Sequence, residues 1–119
     1  MIPMAKRAER KKPRRARRYD IFLPLKFNDQ RPIPRRLFSA VEKRLLARFG
    51  GLTSQHQHLP LKGIWEERGK VFLDEIVVFT AIDFQQGGSP EFVFDLKDFL
   101  LRKFDQPEIM ITEISLGVF

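Results

Sequence analysis

Ile21, Leu23, Leu25 and Phe27 alternate with Phe22, Pro24 and Lys26, a period of two that predicts a strand. Pro24 has no N–H to give to a ladder, so this strand should have a free side or an end there. Asn28 to Pro32 is loop chemistry. The period then changes: Leu37, Phe38, Val41, Leu45 and Phe49 recur every three or four residues behind Pro34, which predicts a helix. Gly50-Gly51 is placed to end it, because glycine accepts the left-handed conformation that helix C-termini often need. Leu52 to His58 reads as a polar strand and Pro60 as a break before Leu61 to Trp65. Glu66 to Gly69 reads as a four-residue hairpin loop. Val71 to Ile82 follows as a long strand, apolar on both parities: Val77, Phe79 and Ala81 on one, Ile76, Val78 and Ile82 on the other. Both faces of its centre are therefore expected to be buried. Ser89 as N-cap and Pro90 at the first helical position open a second helix. Phe92, Val93, Leu96, Phe99, Leu100 and Phe104 form its apolar stripe, and Glu108 to Phe119 closes the chain as a strand.

The order βαββαβ, with right-handed crossovers in one compact sheet, predicts an α+β fold of the ferredoxin-like kind. Two helices would cover one face of an antiparallel sheet. The second apolar set of the long strand would then lie in water unless something covers it. The same face of another copy would do so, giving a homodimer through the open sheet face; a fold-back of residues 56–67 is the other possible cover.

Charge divides the chain into two parts. Residues 1–18 carry nine Lys and Arg against the single acid Glu9, a net of +8, whereas residues 19–119 carry a net of −1. Lys6, Arg7, Arg10, Lys11, Lys12, Arg14, Arg15, Arg17 and Arg18 therefore read as a disordered basic arm on a neutral domain. Each cation that neutralises a phosphate releases counterions, so the arm would bind DNA or RNA without sequence preference; a solubilising tail and an anchor for anionic lipid are the alternatives. The sequence has no cysteine and twelve phenylalanines, so its core is aromatic and disulfides play no part. No apolar run approaches the ~20 residues of a membrane span. A cytoplasmic setting is expected.

Candidate chemistry is sparse. His56 and His58 share one strand face at a spacing that metal pairs use, but two ligands do not make a site, and no metal or other cofactor is expected. Glu66-Glu67 and Asp74-Glu75 are carboxylate pairs whose members point to opposite sides of a strand. No phosphate loop, nucleophile elbow or zinc-protease motif occurs.

Arg68, Gly69, Phe72 and Leu73 match part of the RNA recognition motif octet, and Phe22 stands where that family's first strand carries a stacking ring, a partial resemblance. Phe49-Gly50-Gly51-Leu52-Thr53, Gly63-Ile64-Trp65, Gly69, Asp74-Glu75 and Phe104-Asp105-Gln106-Pro107-Glu108-Ile109, taken together, resemble a family of small uncharacterised bacterial proteins. That resemblance covers residues 19–119 and implies a ferredoxin-like fold, with a ligand site near Trp65, Asp74 and Glu75 if its motifs are not purely structural. Two functional expectations follow. One is a non-catalytic adaptor or assembly module that binds nucleic acid through the arm. The alternative is a small-molecule-binding or enzymatic domain with a pocket near Trp65 and Asp74/Glu75, the arm being incidental.

Overall fold

A computed structural model describes residues 12–54 and 60–119. The chain forms strand β1 (Arg14–Pro24), helix α1 (Arg35–Phe49), a short β2 (Thr53–Ser54), β3 (Leu61–Glu67), β4 (Lys70–Asp83), helix α2 (Pro90–Lys103) and β5 (Ile111–Val118). The antiparallel sheet runs β2-β4-β1-β5, with β3 continuing β2's place along the first half of β4. This is the expected ferredoxin-like α+β arrangement, with its second strand in two pieces.

One face of the sheet presents Tyr19, Ile21, Leu23, Val77, Phe79 and Ala81, all buried. Phe38, Val41 and Leu45 of α1, and Leu96, Phe99 and Leu100 of α2, close that side. Phe38 is at the centre, edge-on to Phe104 at 5.4 Å between ring centroids and tilted against Phe79 at 6.5 Å, geometries that aromatic quadrupoles favour. Gly50 ends α1 in the left-handed conformation, with φ 78°, and donates its N–H to the Leu46 carbonyl.

Three expectations need correction. β1 begins at Arg14, well before Ile21, because β5 runs far enough to pair Arg14 with Val118 and Arg18 with Ile114. Residues 14–18, expected in the disordered arm, are thus the first half of the central strand. Their backbone groups are held from both sides in part of this stretch, since Arg17 and Arg18 also pair with Asp83 and Ile82 of β4. The β3–β4 loop is a two-residue turn, not four: Arg68 and Gly69 both take positive φ, 50° and 79°, which matches the twist of the flanking strands. Ser89 does not cap α2 with its side chain, because its hydroxyl is engaged elsewhere.

That engagement locks the β4–α2 connection. The Ser89 hydroxyl donates to Asp83 Oδ2 at 2.6 Å and accepts from Arg48 Nη2 at 2.7 Å, while Ser89 N–H donates to the Tyr19 hydroxyl at 2.9 Å. Asp83 and Ser89 are buried, and among the described residues no buried side-chain polar atom lacks a partner. Burial and the neighbouring Glu113 raise the Tyr19 phenol pKa, opposed by the Ser89 N–H that its oxygen accepts.

A mixed-charge cleft at the root of the β3–β4 ribbon

Ile76 is the first residue of β4 to pair on both edges, with Pro24 on one side and Leu61 on the other. Residues 70–75 pair only with β3, so the sheet narrows to a two-stranded ribbon. At its root the ribbon faces the loop after β1. That loop is tightly made: Phe27 N–H donates to the Arg31 carbonyl at 2.9 Å, and Asp29 accepts from both the Arg31 N–H and its guanidinium, at 3.1 and 2.6 Å. These bonds hold the Asp29 carboxyl below its usual pKa. Gln30 is left at φ 72°, a conformation that costs a non-glycine residue on the order of 1 kcal/mol or more.

Between loop and ribbon lies a cleft of about 340 Å³ lined by Lys26, Gln30, Pro60, Leu61, Lys62, Leu73, Asp74 and Glu75. Its volume falls within the ~300–1,000 Å³ range of small-molecule sites. Lys26 and Lys62 supply positive charge, Asp74 and Glu75 negative charge, and the two leucines an apolar wall. Asp74 stands opposite Gly63, which has no side chain to occupy the space beside the carboxylate. Partial burial raises the Asp74 pKa even though the residue remains open to solvent. Leu25 N–H donates to the Glu75 carbonyl at 3.2 Å, tying the two walls together.

Of the residues singled out from sequence, Asp74 and Glu75 reach this cleft and Trp65 does not. Trp65 lies farther out on the ribbon, stacked on Phe72 with ring centroids 5.8 Å apart. Sequence reasoning missed Lys26, Gln30 and Lys62; the turn signal at Asn28 to Pro32 marked the loop without showing that it meets β3. The expected basic site is scattered. Lys6, Arg7, Arg10 and Lys11 lie outside the described residues, as do His56 and His58. Lys12 is exposed ahead of β1. Arg14 packs over the Phe84 ring at 4.0 Å, Arg17 is ion-paired with Glu113, and Arg18 is ion-paired with Asp20 at 3.1 Å; Arg15 is exposed on β1.

No protein-family model and no curated protein matches the chain. Among solved structures, a phage SAM lyase in complex with S-methyl-5′-thioadenosine matches with a TM-score of 0.57 and 20% sequence identity, over 87% of this chain and 83% of that one. The likeness supports the ferredoxin-like fold. It also turns the functional reading away from a nucleic-acid adaptor: the matched protein uses this architecture around a small molecule. The adaptor expectation is further weakened within the chain, where Arg14, Arg15, Arg17 and Arg18 belong to the central strand of the body instead of a free arm.

Proposed function

We propose that this protein is a small-molecule-binding domain of enzymatic type, with the cleft at the root of the ribbon as its site. The observation that carries the reading is the pairing of both charge signs in one cleft of ligand size, with the Asp74 carboxyl partly withdrawn from water. Such a lining suits a ligand that itself carries both signs on an apolar frame. Asp74 and Glu75 would face its cationic group, Lys26 and Lys62 its carboxylate or other anion, and Leu61 and Leu73 its apolar part. A carboxyl with a raised pKa is also closer to the range in which it can take and return a proton. The ligand of the matched lyase, a nucleoside thioether, supports starting with adenosyl sulfur compounds. S-adenosylmethionine fits the charge requirement, with a sulfonium two methylenes from an α-carbon that carries both an ammonium and a carboxylate. We take the setting to be cytoplasmic, in keeping with a chain that carries no cysteine.

Titration calorimetry of the purified chain with S-methyl-5′-thioadenosine and with S-adenosylmethionine tests the proposal, with chromatography of the second mixture to detect turnover. Saturable binding of either compound is expected, weakened about tenfold or more by Asp74→Asn, a loss of roughly 1.4 kcal/mol. Binding unchanged in both Asp74→Asn and Lys62→Ala would remove the cleft as the site, and no binding of either compound would remove the ligand class.

A further inference from the structure

Beyond the cleft, the ribbon is apolar on both sides and covered on neither. Ile64, Val71 and Leu73 are 63–64% exposed on one side; Leu61, Trp65 and Phe72 are 39–48% exposed on the other. A two-stranded hairpin is marginal in water by itself, and water is a poor setting for six such side chains on one. The side bearing Leu61, Trp65 and Phe72 continues, by strand alternation, into the face of the sheet opposite the helices. That face carries Phe22, Ile76 and Ile82, with Phe84 and Ile114 41% and 44% exposed. Residues 61–67 do not fold back over it, since they pair edge to edge with β4.

Over the sheet the polar groups on this face are matched among themselves, and on the ribbon Asp74 lies on the same side, beside the cleft. Arg18 pairs with Asp20 at 3.1 Å, and the Thr80 hydroxyl donates to Asp20 at 2.7 Å. A face with its charges internally matched offers little to a charged partner but can be buried against another neutral, apolar face. Taking ~3.3 Å per residue and ~4.8 Å per strand, sheet and ribbon together span about 670 Å², inside the ~600–1,000 Å² per partner of a standard interface. The sheet face alone falls short.

We propose that this continuous face binds the same face of a second copy of the chain about a two-fold axis near Val78 of β4. Each ribbon then lies across the other copy's sheet, with Trp65 and Phe72 against the partner's Ile82 and Phe84. The strand alternation is self-complementary in this arrangement, as a two-fold contact requires. Asp74, which alternation places on this side between Phe72 and Ile76, brings one wall of the cleft against the second copy.

Light scattering on the full chain at micromolar concentration should give about 28 kDa, twice the 14.0 kDa of one chain. Phe72→Glu on the ribbon and Ile82→Glu on the sheet should each reduce the mass to that of one chain with the circular dichroism spectrum retained. Phe94→Glu, at a residue 68% exposed on α2, should leave it doubled. Because the chain has no cysteine, Phe72→Cys combined with Phe84→Cys gives a clean geometric test. The two positions are ~40 Å apart along one strand, far beyond the ~7 Å Cα limit of a disulfide, so a bond between them can form only between copies. A doubly linked dimer on a non-reducing gel is expected. A single-chain mass for the unaltered protein would overturn the proposal, as would cross-linking of Phe72→Cys alone at equal yield, which would place ribbon against ribbon.

Discussion

The two halves of β4 belong to one unbroken strand and live in different environments. From Ile76 to Asp83 it pairs with β1 throughout, and with a second strand on the other edge at Ile76, Phe79 and Thr80; a helical layer covers one face, and Val77, Phe79 and Ala81 are buried there. From Lys70 to Glu75 it has a single neighbour and every residue is exposed. Residue type does not separate them, because Val71, Phe72 and Leu73 are as apolar as Val77, Val78 and Phe79. What separates them is the number of layers that reach each half. Helices α1 and α2 cover the β1–β4–β5 centre and stop, so the ribbon extends past the core and its apolar groups stay exposed. The cleft forms at the junction, where the supported strand leaves the core.

Truncating one side chain in each half separates the two environments. Phe38→Ala, at the centre of the covered half, should cost about 3–5 kcal/mol in urea unfolding. Val71→Ala on the ribbon, measured at a concentration where the chain is monomeric, should stay within ~0.5 kcal/mol. Equal losses would mean that the ribbon is part of the core.

Glycines sharpen the contrast. A Cβ at Gly88, where φ is 77°, would come within 2.5 Å of the Tyr19 hydroxyl and 2.7 Å of Arg17 Cδ. Gly88→Ala should therefore cost about 2 kcal/mol or more in thermal unfolding, through strain and collision together. At Gly63 on the ribbon the nearest atom would be Ile76 Cγ2 at 3.7 Å, and Gly63→Ala should change stability by less than ~0.5 kcal/mol. Next in size, Ser89→Ala withdraws the hydroxyl that Asp83 and Arg48 share. A loss of about 1–3 kcal/mol is expected, with faster amide exchange in the β4–α2 connection as its local signature.

The smallest effect is on pH dependence, and its sign differs between the two regions. Burial raises the Asp74 pKa above the 3.8 of a free side chain, so the folded chain holds this proton more firmly than the unfolded one. Its unfavourable contribution to stability grows as pH rises from about that value through the raised one. Asp74→Asn should accordingly gain in melting temperature relative to the parent on going from acid to neutral pH. On the helical side, Lys97 stands 2.7 Å from Glu108 and, with the Ile109 N–H, lowers that carboxyl from 4.5. The support is present above that value and lost as pH falls through the lowered one; Glu108→Gln should weaken the chain slightly at neutral pH and not at strongly acid pH. A mutant-minus-parent melting difference that moves with pH in the same direction for both substitutions would contradict this assignment.

By itself the chain determined which segments become helix or strand and in what order. The three- and four-residue spacing in α1 and α2, the alternation that begins at Ile21 in β1 and the glycines after Phe49 are local signals that survive in the folded protein. Local spacing also brought Asp74 and Glu75 forward as candidates, since adjacent carboxylates are visible in any linear reading. Tertiary structure decided the rest. The basic cluster from Arg14 to Arg18 looked unsupported until β5, nearly a hundred residues later, supplied its hydrogen-bonding partner. Ser89 was drawn from a cap into a buried network because Tyr19, Arg48 and Asp83 converge on it. Trp65 was kept out of the cleft by stacking on Phe72 across the turn, whereas Lys26 and Gln30 were brought in by a loop distant in sequence from the ribbon. Periodicity records whether a side chain has an inside and an outside; how far the covering layers extend is set by helix length and strand register, which only the assembled fold reveals.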